Sequence, residues 1–177
     1  MLIKNKNFWL ALFLLLLYGI LKLHSHNKNN LELAGDKYFL EGNIEKAVEC
    51  WEKVLKEKND KRIYEKIVTS YIVRNDLETA KKWTTTGLTN FPNCVNLIFN
   101  LGLINFYQAK YSEALKFLDS VLKKDNYFPN AHYLKGLIFE IRGEKEKAKK
   151  EYIEEINVNP SSKKAWEKIK ELKNEKS

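Results

Sequence analysis

The chain has 177 residues, which is enough for one domain with a substantial core and short for two domains. Hydrophobic residues make up 44% and charged residues 31%, which excludes wholesale disorder, and seven glycines and three prolines are too few for a turn-rich β fold. The net charge of +8 does not indicate nucleic-acid binding, because four of its lysines lie in residues 1–28 and lysine far outnumbers arginine, so no nucleic-acid partner is predicted.

The first predicted element is an uninterrupted apolar run, FWLALFLLLLYGIL, at residues 8–21. As a helix it would span roughly 21 Å, against about 30 Å for the core of a bilayer. Trp9 and Tyr18 lie near its two ends, where aromatic rings favour the membrane interface. Residues 1–23 are therefore predicted to be a membrane anchor or a signal sequence, with membrane contact through residues 8–23.

Three interpretations of this segment are open. The only downstream cleavage candidate, residues 23–25, has a large leucine where a small residue is needed, so an uncleaved signal anchor is favoured over a cleaved signal peptide. Both are favoured over a buried helix, because the rest of the chain has few apolar residues to spare for covering it. An anchor would hold the following residues in the periplasm at the inner membrane of a bacterium. Cleavage would instead release them into the periplasm.

After a polar linker at residues 24–30, a pattern recurs at steps of 33 or 34 residues. Each period contains a turn-like stretch that ends in alanine: EGNIEKA, RNDLETA, QAKYSEA and RGEKEKA. Twelve residues before each alanine stands a glycine, except in the second period, which has Val68. Two antiparallel helices approach closely only where side chains are small, so these positions are predicted to be helix contacts. The predicted packing residues are Gly35, Ala47, Ala80, Gly102, Ala114, Gly136 and Ala148.

This period of helix, turn and helix closely resembles the tetratricopeptide repeat. The resemblance covers residues 28–160 and implies an all-α fold, a right-handed α-solenoid of four repeats. The apolar run predicts one hydrophobic N-terminal helix before it. The four repeats are residues 28–60, 61–94, 95–128 and 129–160. In the second repeat, Thr84 and Gly87 are expected to leave the second helix underfilled, with Trp83 placed to cover the gap.

Residues 161–177 are predicted to form a capping helix over the last repeat, which a solenoid needs at its end. Ser161 or Ser162 is a suitable N-cap. The apolar residues expected to share its buried face are Ala165, Trp166, Ile169 and Leu172.

The resemblance implies that the first helices of the repeats line a concave groove for a partner protein or peptide. The predicted groove residues are Asn96, Phe99, Asn100, Leu103, Phe106, Tyr107, Asn130, Tyr133 and Leu137. Their apolar members suit an apolar helix or extended segment, and their asparagines suit a peptide backbone. The alternative is that these aromatic residues pack against neighbouring helices. Family members that grip a C-terminal carboxylate have lysine and asparagine where this chain has Glu32 and Asp36, and lysine and arginine where it has Asn96 and Asn100, so that clamp is not expected.

No nucleotide-binding, metalloprotease or serine-hydrolase motif occurs, so neither catalysis nor a cofactor is predicted. His132 is expected to pack rather than to catalyse, and the pair Glu154 and Glu155 is expected to be solvated. Cys50 and Cys94 are predicted to be free, because their separation in the repeats is unsuited to a disulfide.

The sequence therefore predicts a non-catalytic scaffold or adaptor, tethered at a bacterial membrane, that binds a partner in its groove. The alternative is a self-associating structural component of an envelope assembly, and a homo-oligomer is possible in that case.

Overall fold

A computed structural model of the protein describes residues 16–18 and 30–174. All its regular structure there is helical, so the prediction of an all-α fold is confirmed for these residues. Of the predicted apolar segment, residues 16–18 are helical and the remainder lies outside the described residues, as does most of the linker. Within the described ranges, no helix combines the length and the apolar character that crossing a bilayer requires.

The helices from residue 30 onward are connected by short turns. The first, α1, covers residues 30–40. The others are α2 (Ile44–Glu57), α3 (Lys61–Val73), α4 (Leu77–Asn90), α5 (Val95–Tyr107), α6 (Tyr111–Lys124), α7 (Ala131–Ile141), α8 (Lys145–Val158) and α9 (Lys163–Asn174). The chain divides into two compact units, residues 1–63 and residues 64–177.

In the first unit, α1 and α2 meet at Gly35 and Trp51. A Cβ atom on Gly35 would lie 2.6 Å from Cδ1 of Trp51, so only glycine leaves room for the indole ring. The Trp51 side chain is buried, and its Nε1 donates a hydrogen bond to Asp36. The side chain of Asn43 accepts the Lys46 N–H and caps α2.

In the second unit, helices adjacent in sequence pack against each other from α4 to α9. Its core includes two clusters of buried apolar side chains among the described residues. The larger contains Ile98, Ala114, Leu118, Val121, Ala131, Leu134 and Ile138. The other contains Ala148, Tyr152, Ile169 and Leu172.

The packing positions predicted from the repeat pattern are all buried. Ala47, Ala80, Ala114 and Ala148 have no exposed surface. The glycines, however, contact the large residue that follows each alanine by four positions. A Cβ on Gly136 would lie 2.6 Å from Cδ1 of Tyr152, and one on Gly102 would lie 3.2 Å from Cδ2 of Leu118. The glycine therefore makes room for a large side chain of the facing helix.

In the second repeat, the larger side chain is at the glycine position and the smaller one is at the position of the large residue. Val68 takes the place of the glycine and Thr84 the place of the large residue, and both are fully buried. The expected gap at Gly87 is not present, because a Cβ there would lie 2.7 Å from Cδ1 of Leu97 and 3.1 Å from Cβ of Tyr64. Tyr64 and Leu97 therefore fill the space for which Trp83 was expected.

The turns inside the hairpins of the second unit share one strained position. Asn75, Ala109 and Gly143 have positive φ angles of 63°, 56° and 75°. In each turn the N–H of the positive-φ residue donates to the carbonyl three residues earlier. The N–H of the following residue donates to the carbonyl five residues before that residue. This is the Schellman arrangement that ends a helix with a left-handed residue.

The capping helix α9 buries Ala165, Ile169 and Leu172, as the sequence predicts. Trp166 differs from the prediction, because 53% of its surface is exposed and its Nε1 donates to the carbonyl of Pro160. An indole held in this way points away from the buried face. Neither cysteine forms a disulfide; Cys50 is half-buried and Cys94 is buried.

Adding a methyl group should change the free energy of unfolding more at Gly136 than at Gly102. Gly136→Ala should lower the free energy of unfolding by about 1–2 kcal/mol, because overlap with a buried ring exceeds the gain of about 1 kcal/mol in helix propensity. The free energy of unfolding of Gly102→Ala should stay within about 1 kcal/mol of the wild-type value, since the added methyl group meets the flexible end of the Leu118 side chain. Urea unfolding of the full chain, followed by circular dichroism, measures both. Equal effects would contradict the packing described here.

Candidate binding cleft

A cleft of about 390 Å³ opens in the second unit between α5, α7 and the start of α9. A volume of this size is within the usual range for ligand-binding clefts. The residues that line it are Phe99, Leu103, Phe106, Tyr107, Asn130, Tyr133, Leu134, Leu137 and Lys164. Most of this surface is aromatic or aliphatic, so it can remove an apolar side chain from water.

Seven of the nine predicted groove residues lie together in this cleft. Asn96 and Asn100 do not. The amide nitrogen of Asn96 donates to Oε2 of Glu65 at 2.9 Å, which holds this side chain beside α3. Asn100 is half-buried in α5 and does not contribute to the lining. Two of the three asparagines expected to contact a peptide backbone are therefore absent from the cleft.

The aromatic residues of the cleft also pack against other rings. Phe99 lies 5.0 Å from Phe128 between ring centroids, and Phe106 lies 6.0 Å from Tyr111. Tyr133 lies 5.8 Å from Tyr152. These rings contribute to helix packing with one side and to the cleft with the other. The same side chains therefore pack against neighbouring rings, as the alternative interpretation predicts, and also line the cleft.

Tyr107 is the most exposed aromatic residue in the lining, with 55% of its surface accessible. Its ring packs edge-on against Phe106 at 5.7 Å. Tyr133 is half-buried, and burial raises the pKa of its hydroxyl, which is therefore a neutral group at pH 7. Tyr133 therefore brings no charge to the cleft.

Two of the lining residues, Leu134 and Lys164, were missed by the sequence analysis. Leu134 is nearly buried and belongs to the larger core cluster, so its contribution is small. Lys164 is exposed in the first turn of α9. The only sequence signal for it was its place at the start of the capping helix, and that alone does not say which surface the side chain faces.

Glu155 positions the start of α7 and corrects the expectation that Glu154 and Glu155 are both solvated. Its side chain is fully buried and accepts the backbone N–H groups of Asn130 and Tyr133 at 3.0 and 3.2 Å. Asn130 adopts a left-handed conformation with φ of 65° immediately before the helix. The carboxylate thus supplies the N-terminal cap that the Asn130 side chain does not.

Burial raises the pKa of Glu155 above its ordinary value of 4.5, and the hydrogen bonds from Asn130 and Tyr133 oppose that shift without cancelling it. Just above pH 4.5 the folded protein therefore binds more protons at this position than the unfolded chain does. The contribution of Glu155 to stability is greatest below pH 4.5 and decreases as the pH rises through its folded-state pKa.

Two further groups of polar side chains connect α7 to its neighbours. Lys135 pairs with Asp119 of α6 at 3.0 Å and with Glu151 of α8 at 2.9 Å. His132 lies 2.7 Å from the other oxygen of Glu151, so its side chain belongs to this packed network rather than to the cleft. Burial favours a higher pKa for Glu151, but the bonds from His132 and Lys135 outweigh it and hold the pKa below its usual range.

Glu140 forms the second group. It accepts hydrogen bonds from the hydroxyl of Tyr152 on α8 and from Lys168 on α9, the latter at 2.9 Å. The bonds to Glu140 and Glu171 raise the pKa of Lys168 to about 12. One carboxylate thus joins three helices behind the cleft. Across the described ranges, no group of His, Cys, Asp and Glu is arranged to hold a metal ion.

The titration of Glu155 gives a second prediction. The wild type should lose stability relative to Glu155→Gln as the pH rises from 4.5, because glutamine does not ionise. Chemical unfolding of both proteins at several pH values gives this difference. Glu154→Gln is the control, since it removes the neighbouring carboxylate without touching the N–H groups of α7. A difference that grows in the opposite direction would show that the ionised form is the better cap.

The chain matches no protein-family model. No curated protein sequence matches it. Its structure is nevertheless similar to several solved structures. MamA from Desulfovibrio magneticus RS-1, from residue 41 to its end, has a TM-score of 0.69 and 19% identity over 84% of this chain and 85% of that chain.

Two of these solved structures are tetratricopeptide repeat proteins by description. YrrB, a tetratricopeptide repeat protein with an unusual peptide-binding site, has a TM-score of 0.64 and 20% identity over 83% of this chain and 76% of that chain. The thermophilic repeat protein TTC0263 from Thermus thermophilus has a TM-score of 0.66 and 17% identity, with coverage of 82% and 80%. These similarities establish the tetratricopeptide-repeat fold.

Proposed function

We propose that the protein is a non-catalytic scaffold that binds a segment of a partner protein in the cleft between α5, α7 and α9. The observation that carries this proposal is the convergence of Phe99, Leu103, Phe106, Tyr107 and Leu137 on one cleft. A solvent-accessible apolar surface of this kind is the usual mark of a recognition site. The peptide-binding site of YrrB, which has the same fold, supports the same conclusion.

The packing of the cleft walls favours binding without rearrangement. Phe99 and Phe106 are held by neighbouring rings, and Glu155 fixes the first turn of α7. Side chains that are already ordered lose little conformational entropy when a ligand binds. The site therefore suits recognition of a partner segment by preformed contacts.

We also propose the domain organisation that the repeat pattern indicates. Residues 1–23 are an anchor or signal sequence, residues 24–30 a linker, residues 28–160 the repeats, and residues 161–177 the capping helix. The bounds of the hairpins support this division, since α5 and α6 fall within one predicted repeat and α7 and α8 within the next. In this organisation the repeats face the periplasm and hold their partner near the inner membrane.

A photoreactive residue in the cleft tests the binding site directly. Replacing Tyr107 with p-benzoylphenylalanine should yield a specific crosslinked partner in cells, because this side chain lies in the cleft and is 55% exposed. The same replacement at Tyr127 is the control, since Tyr127 is 75% exposed but lies outside the lining. Mass spectrometry identifies the products. Crosslinks that are the same from both positions would contradict the cleft as the site, and crosslinks to the protein itself would favour the self-associating alternative.

The membrane tether has its own test. The full chain should sediment with membranes and resist extraction by carbonate, and a variant lacking residues 1–23 should be recovered in the soluble fraction, because the apolar run is the predicted attachment. The intact mass of the mature protein separates an anchor from a cleaved signal peptide. Full solubility of the uncleaved chain would exclude the tether.

A further inference from the structure

The walls of the cleft contain very little charge. Helix α5, with the sequence VNLIFNLGLINFY, contains no Asp, Glu, Lys, Arg or His. Helix α7 has two residues with formal charge, neither of which is in the lining, and both are paired: Lys135 with Asp119 and Glu151, and Glu140 with Lys168. A ligand in the cleft therefore meets apolar side chains on both of these helices.

Lys164 is the exception. It is the only charged residue among the described residues that line the cleft, and it belongs to the first turn of α9. It makes no hydrogen bond or ion pair with any described residue, whereas Lys168, one turn later, pairs with Glu140 and Glu171. Its ammonium group is thus available at the edge of an apolar surface.

Besides the hydroxyls of Tyr107 and Tyr133, the lining contains one further uncharged polar group, the side chain of Asn130. It does not cap α7, since Glu155 does so, and its amide forms no hydrogen bond within the described residues. Amide groups bond well to an extended peptide backbone, which offers both donors and acceptors. An apolar surface, one cation and one free amide therefore define the chemistry of the occupant.

We propose that the cleft binds a peptide segment in which an aromatic or branched aliphatic side chain is flanked by an acidic residue. The apolar side chain contacts Phe99, Leu103 and Leu137, and the carboxylate pairs with Lys164. Charge complementarity supports this occupant, because an unpaired cation beside an otherwise uncharged lining attracts an anion and selects against a basic neighbour. This inference rests on the proposed function and specifies the partner segment.

A charge reversal at Lys164 tests the inference. Short random peptides displayed on phage are selected against the full chain in detergent, against Lys164→Glu and against Lys163→Glu. Both variants have the same net charge and place an acid in the first turn of α9, which the helix dipole tolerates well. Lys163 does not line the cleft, so it is the matched control.

The wild type and Lys163→Glu should select an acidic residue next to an apolar anchor, and Lys164→Glu should select a basic residue there. An amidated synthetic peptide with Glu at this position should bind the wild type about 2- to 5-fold more tightly than its Gln counterpart, the range typical of exposed ion pairs. That preference should reverse in Lys164→Glu, because two carboxylates repel each other, and in the wild type it should weaken in high salt.

Two other outcomes are informative. In the first, the selected peptides lose binding in Tyr107→Ala, but they show no charge preference, or their charge preference changes equally in both lysine variants. This outcome would overturn the inference and leave the proposed function intact. If no peptide is selected, or if the selected peptides bind Tyr107→Ala as well as the wild type, both the inference and the proposed function fail.

Discussion

The contact between Gly136 of α7 and the ring of Tyr152 of α8 determines how close these two helices lie. A side chain on Gly136 would collide with the ring, so the hairpin closes only because the glycine is there. The buried ring brings its hydroxyl to Glu140, and Glu140 in turn binds Lys168 of α9. This close approach and the apolar cluster of Ala148, Tyr152, Ile169 and Leu172 together position α9, whose first turn is the third wall of the cleft.

The cleft combines packing and recognition in the same side chains. Phe99 and Phe106 stabilise the second unit through contacts with other rings, and their remaining surface lines the cleft. The buried carboxylate of Glu155 holds the first turn of α7, where Asn130 and Tyr133 enter the lining. A surface built in this way is ordered before a ligand arrives, which reduces the entropic cost of binding.

The repeat spacing was sufficient to predict the helical hairpins, because helix contacts within a repeat require small residues at a fixed period. The resemblance to the tetratricopeptide repeat supplied seven of the residues that line the cleft. Charged residues were harder to assign. Glu155 follows Glu154 in a strongly charged helix, and nothing local distinguishes the buried carboxylate, since its partners are backbone groups of another helix. Lys164 and Trp166 depend on how α9 lies against α8, which is a tertiary property. Local pattern thus predicts contacts within a repeat better than polar contacts between helices.

Hydrogen exchange of the full chain, with and without a peptide selected for binding, tests the central claim most directly. With the peptide bound, we expect slower exchange at the amides of α5, α7 and the first turn of α9, because these elements line the cleft. Exchange in α4 and in the outer turns of α6 should be unchanged. Protection located on α4 or α6, with the cleft helices unchanged, would contradict the assignment of this cleft as the binding surface.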